Sequence, residues 1–191
     1  LFFLSTNGNL YALNLINNKI IKWVINLNTE NDVSFNSKPL IIQNDKILIP
    51  TAKKIYLYST KGQKNWEIDL ESNTKPIISG NVIILVSKDN HLVLIDIDTG
   101  KILFSDKITT MISKTFDKKF NKKVKSIENI FLFDKRLLLI SNSGYFLELE
   151  LDRNITINSI MKKPYIIGSD ILIVNNKMLI ISKKKRLYSN Y

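Results

Sequence analysis

The feature that most constrains this chain is a repeat of about forty residues. "HLVLIDIDTGKILF" (91–104) alternates apolar and polar residues, turns on Asp98-Thr99-Gly100, and continues into a second strand-like run carrying Phe104. "KIYLYSTKGQKNW" (54–66) does the same. Gly62 and Gly100 stand 38 residues apart, and at that shift Trp66 falls on Phe104. "LSTNGNLYALNL" (4–15) lays Ser5, Leu10 and Asn14 on Ser87, Leu92 and Asp96; "LISNSGYFLELEL" (139–151) lays Ser141, Phe146 and Glu150 on the same three. "LIISKKKRLY" (179–188) begins the pattern once more. Before each unit lies a further apolar pair of runs: 38–50, 75–87, 128–141 and 169–182. These are split at the turn pairs Asn44-Asp45, Gly80-Asn81, Asp134-Lys135 and Asn175-Asn176.

The runs are strands rather than helices. They are short, rich in Ile, Val, Leu, Tyr and Phe, alternate with period two, and are bounded by turn residues. No amphipathic helix is evident. Four strands per repeat at this period predict an all-β fold, a β-propeller with about four to five blades present. One blade cannot bury both faces, so stability must come from stacking blade on blade. Runs such as "VIILV" (82–86) and "RLLLIS" (136–141) are apolar throughout, as strands covered on both faces require. Trp23, Trp66 and Phe104 recur at one repeat position and are expected as wedges between adjacent blades. The expected blades span 1–27, 34–70, 73–108, 125–162 and 165–191, within a single partial propeller over 1–191. Leu1 opens inside a strand-like run without a secretory signal, as in a mature or truncated chain.

Little in the sequence supports catalysis. There is no cysteine, which excludes disulfides, thiolate metal sites and cysteine nucleophiles. The one histidine, His91, occupies a turn position filled by Asn9 and Tyr145 in other units, so no catalytic role is assigned to it. Asp96, Asp98 and Gly100 have the start of a calcium loop, but its twelfth position is Lys107 rather than Glu, so a turn suffices and no metal is expected. No cofactor is expected either. The net charge of +11 comes mostly from lysines in turns and on alternating strand faces. Arginine, the usual reader of bases and phosphates, occurs only at 136, 153 and 186, which argues against nucleic acid.

"LVLIDIDTGKILF" resembles the repeat of PQQ-like β-propellers, G-x-L-Y-A-L-D-x-x-T-G-x-x-x-W. "NGNLYALNLINNKIIKW" (7–23) fits with one extra residue before Trp23, and 54–66 fits with Tyr58 in place of the Asp. The fourth unit keeps Glu150 but lacks the Gly and the Trp. The Lys/Asn/Ile-rich composition is most similar to the BamB-type branch of that superfamily. The resemblance implies a fragment of an eight-bladed ring acting as a non-enzymatic protein-interaction scaffold. It implies a role in outer-membrane β-barrel assembly, in the periplasm and associated with the outer membrane, any signal or lipid anchor lying outside this segment. The alternative it implies is a segment of a PQQ-dependent quinoprotein dehydrogenase, whose enzymes use an adjacent Cys-Cys pair.

One stretch falls outside the repeat. "TTMISKTFDKKFNKKVKS" (109–126) lengthens the connection between the third and fourth units and reads as a basic inter-blade loop. It carries Lys114, Phe116, Lys118, Lys119, Phe120, Lys122 and Lys123, with Asp117 its one acid. Long loops on rigid scaffolds often carry function. The expectation is a docking loop whose phenylalanines enter a protein partner while its lysines meet an acidic surface or lipid headgroups. In BamB-type proteins such a loop contacts the barrel-forming subunit, which is the partner the resemblance implies, close to a membrane surface.

Overall fold

A computed structural model describes residues 1–16, 20–28, 35–133, 135–152, 154–163, 172–174, 177–182 and 184–190. The turn pair Asn175-Asn176, Asp134 of the pair Asp134-Lys135, and the expected blade edges at 34, 165 and 191 lie outside the described residues. Among the described residues five antiparallel sheets follow one another along the chain. The first holds β1 (Phe2–Leu4), β2 (Asn9–Leu13) and β3 (Ile21–Asn26); the second β4 (Ile41–Gln43), β5 (Lys46–Pro50), β6 (Ile55–Ser59) and β7 (Lys64–Ile68). The third holds β8 (Ile77–Ser79), β9 (Val82–Val86), β10 (His91–Asp96) and β11 (Ile102–Lys107). After two helices, α1 (Ile108–Thr115) and α2 (Lys119–Lys123), comes the fourth sheet: β12 (Ile127–Phe133), β13 (Arg136–Ser141), β14 (Tyr145–Glu150) and β15 (Thr156–Lys162). The fifth holds β16 (Leu172–Val174), β17 (Lys177–Ile181) and β18 (Leu187–Asn190). Each sheet is a simple up-and-down meander, the strand order of a propeller blade.

The repeated serine has a local role. Ser5, Ser59, Ser141 and Ser182 each accept, on the side-chain oxygen, the backbone N–H four residues on: Asn9, Gln63, Tyr145 and Arg186. Each carbonyl accepts the N–H three residues on, from Gly8, Gly62, Gly144 and Lys185. Those third residues take positive φ (83°, 89°, 78° and 59°), as does Asn90 (64°), three beyond Ser87. The serine thus closes a tight turn that hands the chain from one strand to the next. Lysine is a poor occupant of such a backbone. Lys185→Gly is therefore expected to raise stability, by about 1 kcal/mol, in a chemical-denaturation measurement; Lys185→Val should do the reverse.

The chain forms two compact units, Leu1–Lys88 with Leu92–Ser105, and Asp89–His91 with Asp106–Tyr191. In the first, adjacent sheets share their cores. Leu10 and Leu27 of the first meet Ile47, Ile49 and Tyr58 of the second. Leu48, Ile55 and Leu57 of the second meet Ile83, Leu85, Val93 and Ile95 of the third. Central strands such as β5 and β9 contribute to both faces, so four of their five residues are buried. Each fully buried aliphatic side chain contributes ~1.5–3 kcal/mol. The outward face of the first sheet carries Phe3, Tyr11 and Val24 in register; Phe3 stacks on Tyr11 at 4.6 Å and remains exposed.

The outer strands β3 and β7 carry Trp23 and Trp66. The indole N–H of Trp23 donates to Thr60 O (3.3 Å) and its ring lies against Gly62; that of Trp66 donates to Ile97 O (2.9 Å) and its ring lies against Gly100. A Cβ at Gly100 would come within 2.8 Å of the Trp66 ring, on a backbone at φ +71°. Each Trp thus reaches into the next sheet and fixes its turn. Phe104 sits half-buried on β11 and has no N–H to donate. A polar staple joins the same sheets: Lys46 Nζ lies 2.5 Å from Asp98 Oδ1, and Asn81 donates to Asp98 Oδ2. In the second unit, Ile140 and Phe146 of the fourth sheet pack with Tyr188 of the fifth.

The stretch 109–126 is not the loop expected. It holds the two helices, and the absence of any amphipathic helix in the sequence reading is corrected here. Ile108, Met111 and Ile112 fall at helical spacing and are buried on α1. Thr109 and Thr110 favour strands, neither helix has a side-chain N-cap hydrogen bond, and α2 has only five residues. Tertiary burial, rather than propensity, makes α1, whereas α2 buries none of its side chains fully.

Candidate docking surface

The insertion is held at both ends by one residue. Asn90 O accepts the N–H of Ile108 and Asn90 Oδ1 accepts the N–H of Ile127, each at 3.0 Å. Its backbone takes a positive φ of 64°. Between these points Val124 is buried with the α1 residues, and Ser113 Oγ donates to Thr109 O and accepts from Asn121 Nδ2. The result is a short, packed helical hairpin rather than a tether.

The two phenylalanines are half-buried, not projecting. The ring of Phe116 packs edge-on against Phe120 at 6.4 Å, and Phe120 packs edge-on against Tyr145 of β14 at 6.3 Å. They anchor the insertion to the fourth sheet, which leaves the lysines as the groups presented outward. Lys114 is exposed and pairs with Asp106 at 2.6 Å, while Lys119 is exposed and pairs with Asp117 at 3.2 Å. Lys118, Lys122, Lys123 and Lys125 are also exposed. Tyr145, Ser143 and Lys162 join this surface, and sequence reading gave them no site role. Ser143 Oγ donates to Lys123 O and accepts from the N–H of Lys125; Lys162 Nζ donates to Ser143 O and stands 4.9 Å from the Tyr145 ring. Their one sequence signal is the repeat alignment, which puts Tyr145 where Asn9 and His91 stand; all three are half-buried at the first position of a strand.

The acidic turn 96–100 is built for structure. Asp96 Oδ1 accepts the N–H and hydroxyl of Thr99 (2.8 and 2.7 Å), which holds its pKa below the usual carboxylate range. Asp98 is held low by Lys46, then Asn81, and Asp117 by the N–H and ammonium of Lys119. Among the described residues no group of His, Asp or Glu is disposed to hold a metal ion. The sign for folding follows. A depressed folded-state pKa means these contacts stabilise fully above the unfolded value, about pH 4, and are lost as pH falls through the folded value. A thermal-melt series from neutral to acid should therefore show Tm level to about pH 5 and falling below about pH 4. Asp98→Asn should make that fall shallower; a Tm that rises in acid would contradict it.

The whole chain can be laid on solved structures. It matches BamB from Moraxella catarrhalis with a TM-score of 0.68 and 15% identity, over 98% of this chain and 53% of that one. The fold is a BamB-type β-propeller. The computationally designed Ika8 protein matches similarly, with a TM-score of 0.67 and 11% identity, over 100% of this chain and 54% of its own. The chain therefore spans about half the length of either structure. No family model and no curated protein matches the chain. At these identities the likeness to BamB concerns the fold alone. The all-β, partial-propeller expectation drawn from the repeat is borne out.

Proposed function

We propose that this BamB-type propeller is a non-enzymatic scaffold that binds a protein partner through the insertion between its third and fourth sheets. The observation that carries the reading is the insertion itself, a helical hairpin pinned at both ends by Asn90 and floored by the Phe120–Tyr145 contact. It presents exposed lysines from a fixed platform, and preorganised surfaces lose less entropy on binding. The BamB-like fold, together with the repeat's resemblance, supports a finer reading: assistance to outer-membrane β-barrel assembly, in the periplasm and associated with the outer membrane. The partner in that reading is the barrel-forming subunit. Among the described residues no helix is long and apolar enough to cross a membrane.

The test is co-purification with that subunit. Deleting 112–124 is expected to reduce capture at least tenfold, roughly the loss of one group of charged contacts, while far-UV circular dichroism retains the β signature. Because the deletion also removes the buried Ile112 and Val124, the folded variant Lys118→Glu/Lys122→Glu provides a second measurement. Capture unchanged in both variants would overturn the proposal.

A further inference from the structure

The basic surface does not end with the insertion. We infer that α2, the 142–144 turn and the end of β15 form one composite site for an acidic polypeptide segment, with the Phe120–Tyr145 pair as its floor. The inference rests on the docking reading above and names the chemistry of the ligand.

The geometry is as follows. Lys119 Nζ and Lys123 Nζ lie 5.8 and 5.9 Å from the centre of the Phe120 ring. Lys162 Nζ lies 4.9 Å from the centre of the Tyr145 ring, and the two rings are 6.3 Å apart. Three ammonium groups, from a helix and from a strand about forty residues later, thus surround one aromatic pair. Lys163, next along the chain, stands instead over Phe146, 6.0 Å from that ring, on the opposite face of the sheet. Lys125 follows directly from α2 and is tied to Ser143. Two acids of the insertion's surroundings are already paired, Asp117 with Lys119 and Asp106 with Lys114, and Glu128 at the start of β12 is exposed. Cation–π attraction restricts long side chains that would otherwise roam, and each ammonium keeps N–H donors for an incoming anion. A positive surface of this kind selects negative partners and speeds their arrival.

Three classes of anion could answer that charge, and the aromatic floor decides among them. Nucleic acid would need ring faces to stack on, but the faces of Phe120 and Tyr145 are attended by lysines. Arg136 is engaged with Glu148 at 3.2 Å. A membrane surface would need apolar side chains to enter the acyl region. Phe116 and Phe120 are half-buried, and the exposed Met161 alternates with Lys162 along β15, so it points to the other face of the sheet. Carboxylates spaced along a polypeptide need only the fixed ammonium groups.

The experiment titrates the full 191-residue chain with a fluorescently labelled poly-glutamate peptide. Parallel titrations use phosphatidylcholine vesicles containing phosphatidylglycerol and a single-stranded oligonucleotide. Lys162→Glu, which leaves the insertion untouched, is expected to weaken the peptide severalfold, with a smaller effect at high salt. Lys122→Glu alone should weaken it severalfold. A thermal melt accompanies each variant, and Lys162→Gln stands in if Lys162→Glu does not fold. Unchanged peptide affinity in a folded variant overturns the inference, as does tighter binding of vesicles or oligonucleotide than of the peptide. If deleting 112–124 abolishes partner capture while reversal at Lys162 spares the peptide, the docking reading survives and the acidic-ligand inference fails. If reversal weakens the peptide while the deletion spares capture, the docking reading fails.

Discussion

Trp66→Ala is expected to destabilise the first unit by about 3 kcal/mol, the scale for truncating a large aromatic. The ring joins the core shared by the second and third sheets, its N–H satisfies Ile97 O, and its face covers Gly100. Removing it opens a cavity and leaves a carbonyl to find water. The complementary change, Gly100→Ala, should cost about 2 kcal/mol from the positive-φ backbone and the ring contact together. The two are coupled. In a double-mutant cycle by urea denaturation, the alanine at 100 should cost less once the ring is gone, since only the backbone strain remains. Additive effects would show that the ring and the turn do not support one another.

Asn90→Ala should cost about 2 kcal/mol, from a residue poorly suited to positive φ and from the acceptor lost to Ile127. Its consequence is local. Asn90→Gly restores the turn without restoring the acceptor, so it separates the two causes. Hydrogen exchange should quicken at Ile127 in both variants, and cleavage within 112–124 by a lysine-directed protease should quicken with it. Protection at Ile127 equal to that of the unmodified chain would show that the insertion is held elsewhere.

The repeat was legible because it writes the same physical demand several times. Ser5, Ser59, Ser141 and Ser182 close equivalent turns, and β5, β9 and β13 read as unbroken apolar runs because both their faces are covered. The sequence shows Trp23 and Trp66 at a common place, but not the carbonyl each indole reaches, because Thr60 and Ile97 are chosen by the neighbouring sheet. The insertion was legible only as a departure in length and charge. Its helices are too short for periodicity to declare, and α1 forms because Ile108, Met111 and Ile112 find cover. Nothing local in 109–126 reveals that Phe120 meets Tyr145, or that Lys162 stands nearby. Those pairings come from the return of β15 along β14. The phenylalanines were therefore read as probes for a partner, whereas they hold the insertion to its own blade.

Because one asparagine receives both ends of the insertion, the entry and exit points of that segment are neighbours in space. A segment with adjoining ends can be exchanged for one of different length with little change in closure entropy. The position between the third and fourth blades is thus a natural graft point for new recognition sequences that supply apolar groups in place of Met111, Ile112 and Val124.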